Sequence, residues 1–63
     1  MKLNEIKQAV LEGKKVHWAN TAYRVKEFDG VFYIEHSGSG SSIGLTWRDG
    51  ITLNGKESEF FVA

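Results

Sequence analysis

Residues Ala22 to Glu35 read AYRVKEFDGVFYIE, and this stretch decides the fold. Asp29-Gly30 lies between two runs rich in aromatic and β-branched residues. A two-residue type I′ turn needs positive φ at both central positions, which Asp and Gly supply at little cost. The stretch therefore reads as a β-hairpin, with Ala22 to Phe28 returning as Val31 to Glu35. The outgoing run alternates, placing Tyr23 and Val25 on one face and Arg24 and Lys26 on the other. The return run is apolar on both faces, Phe32 and Ile34 against Val31, Tyr33 and Glu35. Its pattern leaves the core face open, and implies that one face meets a partner subunit.

Upstream, Leu3 to Glu12 has Leu3, Ile6 and Val10 at the i, i+3, i+7 spacing of an amphipathic helix. Asn4 is the expected N-cap, Glu5 suits the positive end, and Gly13 is the expected stop. A helix this short is unstable alone and must pack on something. Lys15 to Trp18 reads as a short strand. Downstream, Ser37 to Ser42 (SGSGSS) predicts a flexible loop. Ile43 to Trp47 and Ile51 to Leu53 read as extended around an Asp49-Gly50 turn. Asn54-Gly55 turns again, Lys56 to Glu59 is charged, and Phe60 to Ala63 reads as a last short strand. The expected architecture is α+β: one N-terminal helix packed on a small, strongly bent antiparallel sheet, SH3-like or a partial barrel.

The 63 residues make one domain, spanning 1–63. A domain of this size buries only about 60% of the surface its unfolded chain exposes. Such a core commonly needs a disulfide, a metal or self-association. Cysteine is absent, which removes disulfides and thiolate metal sites and suits a reducing compartment. Two histidines, His17 and His36, are too few for a structural zinc without recruited carboxylates. A homo-oligomer is therefore expected, with no metal and no cofactor. The eight basic and eight acidic side chains cancel, which argues against DNA or RNA as the partner. Lys2, Glu5 and Lys7 interrupt any apolar run near the start, so no signal peptide is read there. No segment approaches the roughly 20 apolar residues of a membrane span. The sequence predicts a soluble, cytoplasmic protein.

Chemistry-bearing residues gather in two clusters. Gly13 to Val25 (GKKVHWANTAYRV) sets Trp18 and Tyr23 among His17, Asn20 and Arg24. Gly44 to Gly50 (GLTWRDG) sets Trp47 between Thr46 and Arg48. Aromatic faces stack on nucleobases at about 1–3 kcal/mol per base. Arg24 and Arg48 have the planar fork that binds phosphate, and Asn20, His17 and Thr46 offer donors and acceptors to read a base edge. The competing reading makes Trp18, Tyr23 and Phe32 plain core, and holds for at least one of them, Tyr23 or Phe32 first. His36 beside the serine loop invites a nucleophile–base pair. Ser39 between two glycines is too loosely held for catalysis, and no catalytic residue is assigned. The same loop has the glycines and hydroxyls of an anion nest but lacks the lysine and following helix of a P-loop.

GKKVHWANTAYRV, followed by IGLTWRDGITLNG and a closing FF, resembles small proteins encoded by tailed bacteriophages of enteric hosts. It is also similar to a phage anti-CBASS sponge family, from Gly13 onward. That family forms oligomers that sequester cyclic dinucleotides such as 3′,3′-cyclic GMP–AMP, signals that activate bacterial antiviral effectors. The resemblance implies ligand contacts at His17, Trp18, Asn20, Tyr23 and Thr46. Trp47 and Arg48 rest on chemistry alone. The expectation is a non-enzymatic immune-evasion protein acting in the cytoplasm of an infected cell. One rival is an inhibitor or adaptor that grips a host enzyme through its apolar sheet face. Another is a nucleic-acid-binding module of SH3-like or OB-like shape, disfavoured by the neutral charge.

Overall fold

The computed structural model describes all 63 residues. The elements run α1 (Leu3–Leu11), β1 (Val16–Trp18), β2 (Asn20–Phe28), β3 (Val31–His36), β4 (Ser42–Gly44), a single 3-10 turn (Glu57–Glu59) and β5 (Phe60–Val62). The five strands form one sheet in the order β4-β3-β2-β1-β5, with every pairing antiparallel. The fold is α+β, a helix on an open sheet whose two edges are β4 and β5. No helix is long and apolar enough to cross a membrane.

The central hairpin forms as its turn chemistry requires. Asp29 has φ 52° and Gly30 φ 82°, the left-handed pair of a type I′ turn. The Glu27 carboxylate accepts the Gly30 N–H at 2.7 Å. This turn sets Phe28 opposite Val31 and carries the register back through Val25 opposite Ile34 to Tyr23 opposite His36. Directly paired residues share a face, so Tyr23, Val25, Phe32, Ile34 and His36 face the same way. That face is the core side: Val25 and Ile34 are buried, and Phe32 packs against them half-buried. Val31 and Tyr33 point the other way.

The helix begins two residues earlier than Asn4 predicts. Lys2 is the N-cap, and the Glu5 carboxylate accepts the Lys2 backbone N–H at 2.7 Å, so Asn4 lies exposed within the first turn. Starting there lets Ile6 and Ala9 enter the core. At the other end Gly13 (φ 84°) donates to the Val10 carbonyl, and Lys14 donates to that of Ala9. This is the Schellman arrangement that a left-handed glycine permits. The core comprises Ile6, Ala9, Val16, Val25, Ile34, Leu45 and Phe60. Each fully buried Val, Leu, Ile or Phe contributes roughly 1.5–3 kcal/mol.

The stretch after β4 is less regular than its alternation suggests. Only Ser42–Gly44 pairs along β3. Beyond it, Leu45 donates to the Phe32 carbonyl, and Thr46 and Leu53 form a single isolated bridge. Residues 45–59 carry the chain from the β4 edge to the opposite edge, where β5 begins and Ala19 N–H donates to the Glu59 carbonyl at 2.9 Å. A segment that crosses a sheet cannot also lie in it, which is why the runs 43–47 and 51–53 are not strands throughout.

Candidate functional site

The core face of the sheet is not covered uniformly. Near Tyr23 and His36 it opens into a cavity of about 380 Å³, at the small end of the roughly 300–1,000 Å³ found for small-molecule sites. Trp18, Tyr23, Ile34 and Ile43 supply its apolar surface, and His36, Ser39, Ser41 and Ser42 its polar rim.

Trp18 owes its place to an irregularity. The β1–β2 register shifts between His17 and Trp18, and the next residue, Ala19, has φ 65°, a region costing a non-glycine residue about 1–2 kcal/mol. This tight turn lays Trp18 edge-to-face against Tyr23, with ring centroids 5.0 Å apart at 75°. The indole N–H donates to Glu59 Oε1 at 3.2 Å. Gly55 lies so close that a Cβ there would fall 2.6 Å from Trp18 Nε1. The Glu59 carboxyl is held below its ordinary range, first by the Lys56 backbone N–H and then by this indole. Trp18 is thus half-buried and fixed, and it lends only part of its surface to the cavity.

Tyr23 in turn meets the His36 ring at 4.7 Å and 61°. The serine segment is a network of hydrogen bonds. Ser39 N–H donates to His36 Nδ1 at 3.1 Å, and the Ser39 hydroxyl lies 3.2 Å from the same nitrogen. Ser41 N–H donates to Ser39 Oγ, Gly40 N–H to the His36 carbonyl, and Ser37 N–H to that of Ala22. Those amides are committed inside the turn, so the loop does not present the run of free N–H groups that an anion nest requires. The Ser39–His36 contact brings a hydroxyl to a base, but no third group orients that base as nucleophilic catalysis demands.

The eight residues singled out from sequence do not converge. Trp18 and Tyr23 line the cavity. His17 adjoins Trp18 on β1 and therefore faces the other way, paired with Arg24 and Phe61. It is buried, and its Nδ1 lies 3.0 Å from the Tyr23 carbonyl oxygen. Since a carbonyl only accepts, that nitrogen carries a proton and is spent on the backbone. Arg24 is exposed on the same outer face, opposite Glu35. Asn20 is exposed, and its side-chain oxygen accepts the Ala22 N–H at 2.9 Å.

Thr46, Trp47 and Arg48 sit beyond the far end of β3. Thr46 lines a smaller hollow with Lys7, Val31 and Phe32, roughly 17 Å along the strand from His36 at 3.3–3.4 Å per residue. Trp47 is 65% exposed, and Arg48 is exposed beside it. Asp49 organises their loop, accepting from Ile51 N–H, Thr52 N–H and the Thr52 hydroxyl. The Thr52 side chain, then its backbone N–H, then that of Ile51 hold the Asp49 carboxyl below its usual value.

Ile34, His36, Ser39, Ser41, Ser42 and Ile43 belong to the cavity without having been singled out as ligand contacts. The signal for His36 lay in the hairpin itself. A two-residue turn at Asp29-Gly30 fixes Tyr23 opposite His36, so an aromatic on one marks the other as its neighbour. No group of three or more His, Asp or Glu side chains is clustered to hold a metal ion. No protein-family model matches the chain, and neither a curated protein nor a solved structure matches it.

Proposed function

We propose that this chain is a phage immune-evasion protein that binds a cyclic nucleotide signal, such as 3′,3′-cyclic GMP–AMP, and withholds it without turning it over. The observation that carries the reading is the cavity walled by Trp18, Tyr23 and Ile43 and rimmed by His36 and three serines. An apolar, aromatic wall with a few hydroxyl and imidazole groups at its edge suits a nucleobase. No lysine or arginine lines it, so the cavity takes the base and leaves the phosphates at its mouth. Its volume accommodates one base and not a whole dinucleotide. A ligand with approximate two-fold symmetry would then engage two copies of the chain, one base in each, across an isologous interface. The resemblance to the sponge family points the same way, and it implies the cytoplasm of an infected cell as the setting.

The test is direct. Purified protein mixed with 3′,3′-cyclic GMP–AMP should deplete the free ligand and return it intact after heat denaturation. Light scattering should report an oligomer. Recovery of degraded ligand would make the protein an enzyme. Absence of depletion across a panel of cyclic dinucleotides and mononucleotides would remove the reading.

One observation favours a second reading. Phe28 and Val31 stand directly opposite each other on the outer face and are 74% and 62% exposed, a pair suited to gripping a protein partner. On that reading Phe28→Glu abolishes activity in infected cells while Trp18→Phe leaves it intact. The sponge reading expects the reverse.

A further inference from the structure

We infer that His36 is the base-reading residue of the cavity, fixed as the Nε2–H tautomer so that it donates a hydrogen bond to an acceptor on the bound ring. The inference rests on the nucleobase reading of the cavity and specifies what that base must offer.

Three contacts hold the imidazole. The first sets its protonation. A backbone N–H can only donate, and that of Ser39 points at His36 Nδ1 from 3.1 Å, so Nδ1 presents its lone pair. The Ser39 hydroxyl, 3.2 Å from the same nitrogen, adds a second donor, and its oxygen is meanwhile occupied by the Ser41 N–H. In a neutral imidazole the proton then resides on Nε2. The second contact is Tyr23, edge-on to the ring at 4.7 Å. The third is Gly38, packed so closely that a Cβ there would sit 3.0 Å from His36 Cε1. A ring whose rotation and tautomer are both fixed before a ligand arrives discriminates better than a free one.

Nε2 has no hydrogen-bond partner in the protein, yet it is not sealed away, since no buried side-chain nitrogen or oxygen lacks a partner. On a residue that lines the cavity, this leaves one oriented N–H open to a guest. The other imidazole, His17, provides the contrast: it is buried on the opposite face, with its Nδ1 proton spent on the Tyr23 carbonyl. The complementary ligand edge carries a carbonyl oxygen or a ring-nitrogen lone pair. Guanine, with O6 and N7 both accepting, fits better than adenine, whose N7 acceptor adjoins an amino donor.

Two measurements on the full chain decide this. Long-range ¹H–¹⁵N correlation spectra of the free protein at neutral pH should show His36 with an unprotonated Nδ1 and a protonated Nε2. The Nδ1–H tautomer would overturn the inference whatever the protein binds. Titration with GMP, AMP and 3′,3′-cyclic GMP–AMP should then compare the wild type with His36→Gln, which keeps an N–H donor, and His36→Phe, which keeps the ring against Tyr23 but loses it. His36→Phe should weaken GMP and cyclic GMP–AMP binding about tenfold, and His36→Gln no more than about threefold. Wild-type-like affinity in a folded His36→Phe would remove the role of His36 while leaving the nucleotide reading standing. Failure of the wild type to bind any of the three would remove both.

Discussion

The two tryptophans sit in stretches that look alike, WANTAYR and TWRDG, each mixing an indole with small polar residues and an arginine, and the fold treats them as opposites. Trp18 ends a strand that pairs on both sides, so its ring is delivered to the core face, where Tyr23, Gly55 and Glu59 bound it. Trp47 lies in a loop tied by one β-bridge and an Asp49 cap, and 65% of its surface stays in solvent. Flanking chemistry did not distinguish them. What did was whether the backbone on either side was committed to a sheet, because that commitment fixes the direction in which a side chain points.

The largest expected difference between them is in stability. Trp18→Ala should cost about 3 kcal/mol in urea unfolding, the lower end for a large aromatic removed from a packed site. Trp47→Ala should change stability by no more than about 0.5 kcal/mol, as exposed substitutions do. Equal losses would mean that Trp47 is covered by a second copy in solution.

Gly55→Ala sharpens the contrast. Its Cβ would fall 2.6 Å from Trp18 Nε1, so the indole must move, and overpacking of this kind costs about 1–3 kcal/mol. Near-UV circular dichroism should report a displaced Trp18, and an unchanged spectrum would show that the indole is not pinned there.

Acid should separate the clusters further. The Glu59 carboxyl is held below its ordinary 4.5 by the Lys56 N–H and the Trp18 indole, and that of Asp49 below 3.8 by Thr52 and Ile51. A lowered folded-state value contributes stability that is present above the unfolded value and lost as pH falls through the folded one. The Trp18 indole N–H resonance should therefore shift only below about pH 4.5, and the amide resonances of Ile51 and Thr52 only below about pH 3.8. Glu59→Gln should abolish the first transition and leave the second. The smallest effect is a gain: Ala19→Gly relieves a positive φ of 65° and should stabilise by about 0.5–1 kcal/mol.

Local signals in the sequence foretold the elements that local physics dictates. Asp29-Gly30 set both the hairpin and its register, Gly13 ended the helix, and Phe60 to Val62 completed the sheet. Long-range choices were not legible. The apolar pattern of β3 left its core face open, and packing into one shared core turned Phe32 and Ile34 inward instead of Val31 and Tyr33. Alternation in 43–47 resembled a strand because nothing local records that the chain must leave one edge to reach the other. Six of the eight cavity residues were missed for a related reason. Ser37 to Ser42 read as a flexible loop with His36 beside it, and the cross-strand pairing of His36 with Tyr23 brings them beside an aromatic wall.

With only two tryptophans in the chain, the most direct measurement of the central claim is a ¹H–¹⁵N spectrum of the two indole N–H groups during titration with 3′,3′-cyclic GMP–AMP. The Trp18 resonance should move saturably, because that indole forms the wall of the cavity. A spectrum in which Trp18 stays fixed at saturating ligand, with Trp47 alone responding or neither, would contradict the account.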